Sequence, residues 1–210
     1  IVPWAADESR EEFVDFFGRH MRKILHVRAG NGERPERYVS KNNLNIARLG
    51  WLRAHFPDAV LLVPFRDPVQ HCASLLRQHE NFLGIHADDP FAARYMRSLG
   101  HFDFGENLRP VDFDGWLAGA DGADPRRLRF WLEYWVATYG HVLHRGHELG
   151  IRFFSYERFS ADGARGLAEL AEAVGSRTPS DFDASADTVR PARPREVELA
   201  DVDPDVLRAA

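Results

Sequence analysis

Apolar positions recur along this chain in two rhythms. Phe13, Phe16, Phe17, Ile24 and Leu25 return at the interval of one helix face behind a capping box at Ser9-Arg10-Glu11-Glu12, which predicts a helix to about His26. Asn45 to Phe56 predicts a second helix, after a loop at Ala29–Pro35 and a short strand at Arg37–Ser40 that would deliver Lys41 to a sheet edge. The run Val60-Leu61-Leu62-Val63-Pro64-Phe65 is continuous rather than alternating, as expected of a parallel strand covered on both faces, and Val69 to about His79 predicts the helix behind it. Leu128, Trp131, Leu132, Trp135, Tyr139, Val142 and Leu143 form the stripe of a long helix that Pro125 opens and Gly150 stops. Ile151–Ser155 predicts another buried strand, and Gly166–Gly175 a further helix.

Between about Glu80 and Asp124 the periodicity breaks. Gly84, Pro90, Gly100, Gly105, Pro110, Gly115, Gly119 and Gly122 separate short aromatic pieces, which predicts a loop-rich lid or binding insert. From Ser176 onward the Pro-, Asp- and Arg-rich composition predicts a tail running over the surface. The fold class that follows is α/β: a parallel sheet flanked by helices, one domain over 1–210, with a lid at about 80–124.

Composition narrows the function. In 210 residues, 44% apolar and 12% aromatic, there is material for one substantial core. A net charge of −5 with interspersed arginines and acids argues against a nucleic-acid partner. No apolar run approaches the ~20 residues needed to cross a bilayer and no signal peptide is visible, so no membrane partner and a cytoplasmic location are expected. The single cysteine, Cys72, cannot form an intrachain disulfide and reads as a buried, inert thiol. Lys41 is one of only two lysines, with Lys23. His141, His144 and His147 lie three apart on one helix, but without cysteine or carboxylate partners beyond Glu148 they read as an exposed face, and no metal site is expected. Phe130, Trp131, Tyr134 and Trp135 read as core.

The candidate chemistry centres on Arg66-Asp67-Pro68, which closes the apolar strand. Asp67 is a good N-cap and Pro68 a good first helical residue, so Arg66 would stand at the carboxyl edge of the sheet. Ligands bind at that edge in open α/β folds, and a guanidinium there can grip a phosphate through two parallel hydrogen bonds. Ser74 could add a hydroxyl further along the helix.

The order Lys41-Asn42-Asn43, helix, Phe56-Pro57-Asp58-Ala59, strand, Arg66-Asp67-Pro68 and Ser74-Leu75-Leu76 resembles sulfotransferases that use 3′-phosphoadenosine 5′-phosphosulfate (PAPS). Ile151-Arg152-Phe153-Phe154-Ser155-Tyr156-Glu157 resembles the family's strand ending in Tyr-Glu. The resemblance implies a P-loop-like fold with PAPS as co-substrate and no metal. It places Arg66 and Ser74 on the 3′-phosphate, Tyr156 by the adenine and Lys41 at the transferred sulfuryl group. Arg190 and Arg193, with Arg195, invite comparison with the family's basic segment over the 3′-phosphate; without its Arg-Lys-Gly pattern, a solvated basic run is the better reading of the residues themselves. His79, Glu80, Phe82 and His86 would face the acceptor.

Two departures accompany the resemblance. The Gly/Ser/Thr-rich loop that cradles the 5′-phosphosulfate is not in the sequence, so an N-terminal segment outside it is expected, and the end at Ala209-Ala210 reads as cut within a helix. Asn43 stands where a histidine base is placed in the small-molecule branch, and an amide cannot take a proton, so the base is open among several histidines including His79, His86 and His101. The expected acceptor is a hydroxyl or amine of a small metabolite or glycan. The alternatives are a non-catalytic nucleotide-binding protein of the same fold and a P-loop kinase relative. Oligomeric state is not legible.

Overall fold

The structure is a computed structural model and describes residues 1–8, 10–29, 37–119, 124–178, 180–183, 185–200 and 202–210. Ser9 of the predicted capping box and most of the predicted 29–35 loop lie outside the described residues. The chain forms two compact units, residues 3–59 and residues 1–2 with 60–210.

In the smaller unit, α1 (Glu11–Arg28) begins with Glu11 and Glu12 and ends near His26 and Arg28, the polarity that complements a helix dipole. Its Phe13 and Phe17 stack at 5.8 Å, and the pair meets Trp51 at 5.7 Å and Phe56 at 5.8 Å respectively. The predicted second helix is a 3₁₀ turn, Asn43–Arg48, capped by the Asn42 side chain on the Leu44 N–H, and then α2 (Leu49–His55). Residues 37–40 form no strand. Tyr38 instead sets its ring edge-on to Phe17 at 6.2 Å, and Val39 is exposed. Four residues are too few to distinguish a strand from an extended loop.

In the larger unit, β1 (Leu62–Phe65) pairs in parallel with β2 (Arg152–Ser155), with Leu62 opposite Arg152 and Phe65 opposite Ser155. Helices flank this two-stranded sheet, so the protein is helix-rich α/β. The expectation that both strands are buried on both faces is corrected: Phe65 is 37% and Phe153 38% exposed, their rings meeting edge to face at 6.5 Å.

Helix α3 (Pro68–Asp88) runs well past the predicted end near His79, and α4 (Pro90–Ser98) follows at once. Asp89 ends one helix and caps the next through the Phe91 N–H, with Pro90 in the first turn. The polar stretch after His79 concealed the continuation because its inward residues, His79 and His86, are themselves polar. Helix α5 (Leu128–Gly146) packs on α3 around Cys72, Phe130, Trp131 and Leu132, and the Cys72 thiol donates to the Trp131 carbonyl at 3.2 Å. Burial pushes that thiol's pKa far up, so it is inert. Beyond β2 come α6 (Tyr156–Ala161), α7 (Gly163–Ala173), α8 (Ser180–Asp183), an irregular tail and α9 (Pro204–Ala209).

The loop-rich character expected of residues 80–124 is also corrected. Residues 80–98 are largely helical, and the remainder that is described is fastened to α3, α4 and α5. Gly105 N–H donates to His79 Nδ1 at 3.1 Å and Glu106 N–H to His86 Nδ1 at 3.2 Å. Asn107 is buried between the Ala93 carbonyl and Arg97. Val111 and Phe113 are 1% exposed, and the Val111 N–H donates to the Tyr134 hydroxyl at 3.0 Å. Gly100, Gly105 and Gly115 take positive φ here and shape tight turns between the docked segments.

Candidate functional site

The parallel register fixes the first step outward from the sheet. With Phe65 opposite Ser155, Arg66 and Tyr156 are the next residues of their strands, and the Arg66 guanidinium lies over the Tyr156 ring at 5.0 Å. One residue further the strands are tied again: Asp67 N–H donates to Glu157 Oε1 at 2.9 Å. Asp67 then turns the chain into α3 by accepting from the Gln70 N–H at 2.8 Å, with Pro68 in the first turn. The predicted strand, turn and helix are all present, and Arg66 stands at the carboxyl edge of β1.

The electrostatics of this edge are unbalanced. Arg66 Nε is buried without a hydrogen-bond partner, a rare state for a charged group. Tyr156 is 38% exposed, so the face built by this pair is open to a ligand on one side. Ser74 lies half-buried on α3, one turn beyond Gln70 and His71 and on their side of the helix. His71 adds a second orphan: its Nδ1 is buried and unpartnered, and burial followed by the nearby Arg66 charge holds its pKa below the ordinary histidine value against a smaller opposing pull from Glu157. A planar cation and an aromatic face at one strand edge, with an unpaired imidazole close by and a hydroxyl further along the same helix, can hold an anion attached to an aromatic or sugar group.

The tail reaches the same helix. Gln70 Nε2 donates to the Arg195 carbonyl at 2.7 Å and its Oε1 accepts from the Arg195 N–H at 2.8 Å. Arg190 and Arg193 lie in this extended stretch with exposed side chains, and the basic run is anchored through the Arg195 backbone to the start of α3. Gln70, His71 and the backbone role of Arg195 were missed by sequence reasoning. Their one signal was spacing, since Gln70 and His71 fall one turn after the Asp67 cap.

The other expected site residues make contacts of their own. Lys41 belongs to the 3–59 unit, where its exposed ammonium donates to Asn43 Oδ1 at 2.8 Å. His79 and His86 accept backbone N–H groups of the 105–106 turn through Nδ1, and Phe82 stacks on Phe104 at 5.8 Å, so these three fasten the insert. Glu80 is exposed. The expected exposed histidine face is corrected at His141, whose Nδ1 meets both Asp114 oxygens at 3.1 and 3.0 Å while its ring packs on Phe113 at 5.0 Å. His144 and His147 are exposed, and among the described residues no group of metal-ligating side chains is found. An apolar groove of about 500 Å³ lies between α5, the Trp116 turn and α9, and none of the expected site residues lines it. Among the described residues no helix is long and apolar enough to cross a membrane.

Compared with known proteins, residues 3–102 match the model of the sulfotransferase family, a span that takes in Lys41, Arg66 and Ser74 and stops short of Tyr156. No curated protein and no solved structure matches the chain.

Proposed function

Because residues 3–102 match the model of the sulfotransferase family, we propose that the chain transfers the sulfuryl group of PAPS to a hydroxyl or amine of a small metabolite or glycan. The observation that carries this reading is the buried, unpartnered Arg66 Nε at the strand edge, with the guanidinium carbon 5.0 Å from the centre of the partly exposed Tyr156 ring. Such a group is incomplete until an anion reaches it, and the 3′-phosphate of PAPS supplies one beside an adenine that Tyr156 can flank. Ser74 offers a further hydroxyl to the same phosphate, and the anchored tail brings Arg190 and Arg193 to that side of the molecule as candidate outer contacts.

PAPS supplies an activated sulfuryl group; the acceptor oxygen or nitrogen bonds to sulfur as the bond from sulfur to the bridging oxygen breaks, and adenosine 3′,5′-bisphosphate departs. Lys41 is assigned to the bridging oxygen, where its ammonium would stabilise the negative charge that develops as the bond breaks, and the reaction then needs no metal. The acceptor's proton passes to a base that is left open. The docked roles of His79 and His86 favour neither, because each uses Nδ1 to hold the insert. A P-loop-like sheet, an acceptor side near α3 and a cytoplasmic location complete the proposal.

Calorimetry with adenosine 3′,5′-bisphosphate and adenosine 5′-monophosphate tests it. The wild type should prefer the bisphosphate, and Arg66→Ala should weaken that ligand by more than ~2 kcal/mol while leaving the monophosphate little changed, since a charge-assisted contact is lost. Equal wild-type affinity for the two nucleotides would refute the site. Selective binding with no transfer from PAPS to any acceptor would support a non-catalytic nucleotide-binding protein instead.

A further inference from the structure

His71 is set against the same strand edge by three consecutive constraints. Its N–H donates to the Asp67 carbonyl at 2.9 Å, the Asp67 N–H is held by Glu157 at 2.9 Å, and Asp67 directly follows Arg66. Two buried nitrogens are left without partners here, His71 Nδ1 and Arg66 Nε. Buried polar atoms are seldom left unpaired, and these two belong to side chains close enough for the Arg66 charge to act on the His71 ring, so one oxygen-rich anion could serve both. We infer that His71 is a second donor to the phosphate bound by Arg66, and that its imidazole takes up a proton from solvent as that phosphate arrives. The inference rests on the Arg66 reading above.

The charged groups that face His71 define the direction of the effect. Arg66 comes from the end of β1 and Glu157 from the start of α6; Asp67, on its own helix, is engaged as the cap of Gln70, and Arg195 of the tail borders the site through its backbone on Gln70. In the free protein, burial and the Arg66 charge favour the neutral ring, and Glu157 opposes them. A phosphate dianion cancels the Arg66 field and adds its own negative charge, which favours imidazolium. The imidazole gains one proton and no bond of the ligand breaks. Binding should therefore strengthen as pH falls from about 8 toward 6. The ligand's own phosphate, with a second pKa near ~6, loses protons on pairing with a guanidinium and so gives the opposite sign.

The test is titration of adenosine 3′,5′-bisphosphate into the full chain at several pH values, each in two buffers of different ionisation enthalpy, to read proton uptake. The wild type should take up protons near pH 7. His71→Asn and His71→Gln should lose that uptake, bind about tenfold more weakly at pH 6.5 and match the wild type at pH 8.5, as loss of one charge-assisted hydrogen bond would give. If binding depends on Arg66 yet uptake and pH slope are the same in wild type and both variants, the His71 inference is overturned and the Arg66 site stands. If the wild type does not distinguish the bisphosphate from adenosine 5′-monophosphate, the Arg66 reading fails first. Should neither variant fold, the wild type still decides: no proton uptake between pH 6.5 and 7.5 overturns the role.

Discussion

Gln70 holds Arg195 by both ends of its amide, donating to the carbonyl at 2.7 Å and accepting from the N–H at 2.8 Å across 125 residues of chain. This two-bond pairing resembles one rung of a sheet ladder, supplied by a side chain. It fixes a tail that has no regular structure from Val189 to Leu199, and it does so in the first turn of α3, four residues from Arg66. The tail is thereby held to the start of α3 through the Arg195 backbone alone, with the Arg195 side chain left out of the attachment.

Gln70→Ala should free the tail while leaving the core intact. Trypsin should then cut after Arg195 at least several-fold faster than in the wild type, whereas Arg190 and Arg193 stay resistant in both because proline follows each. If the tail contributes to nucleotide binding, KM for PAPS rises with little change in kcat. Unchanged proteolysis would show that the two hydrogen bonds do not restrain the tail.

Lys41→Ala should separate chemistry from binding. A cation placed at the bridging oxygen matters most as charge develops there, so kcat should fall about 10²–10³-fold with a much smaller change in affinity for adenosine 3′,5′-bisphosphate. Loss of affinity with kcat retained would make Lys41 a binding residue, and no effect on either would leave it as the surface partner of Asn43.

Gly105→Ala should be among the most damaging single-methyl additions in the larger unit. Gly105 has φ +67°, and a Cβ there would come within 2.6 Å of His86 Nδ1 and 3.0 Å of the Phe82 Cβ. The left-handed backbone and the clash together should cost about 2–4 kcal/mol, read as a lower denaturation midpoint with an unchanged slope. A loss below about 0.5 kcal/mol would mean that the 105–106 turn is not pinned as the His79 and His86 hydrogen bonds indicate.

The strand edge was legible in the sequence and the insert was not. Arg66, Asp67 and Pro68 announce themselves because the end of an apolar strand, an N-cap and a first-turn proline are local signals, and the Asp67 bond to Gln70 N–H is the local structure they encode. The path of residues 80–119 depends on long-range contacts: His79 and His86 point inward to accept backbone N–H groups, a role that a polarity pattern assigns to solvent. Tyr38–Val39 shows the opposite failure, since an aromatic and a β-branched residue in a short run read as a strand but pair with no strand among the described residues. Gln70 and Arg195 were invisible for the plainest reason, as nothing local connects residues so far apart.

His79 gives the structure a pH dependence whose sign can be stated in advance. It is buried, its Nδ1 must stay unprotonated to accept the Gly105 N–H, and its pKa is held below the ordinary value chiefly by burial and then by Arg126, with Asp124 opposing. The unfolded chain, whose histidines titrate near ~6.5, then binds more protons than the folded chain in the interval below that value. Stability contributed by neutral His79 is complete above about pH 7.5 and is lost as pH falls through 6.5 toward the lower folded value. Melting temperature should accordingly drop between pH 7.5 and 5. His79→Gln keeps an acceptor for the Gly105 N–H without a titrating group, so its drop should be smaller than that of the wild type, even if it starts from a lower melting temperature. Hydrogen exchange at the Gly105 and Glu106 amides identifies the source: protection there should fall with acid before protection in α5 does. A wild type and a His79→Gln variant with equal pH slopes, or uniform loss of protection across the larger unit, would remove His79 as the group responsible.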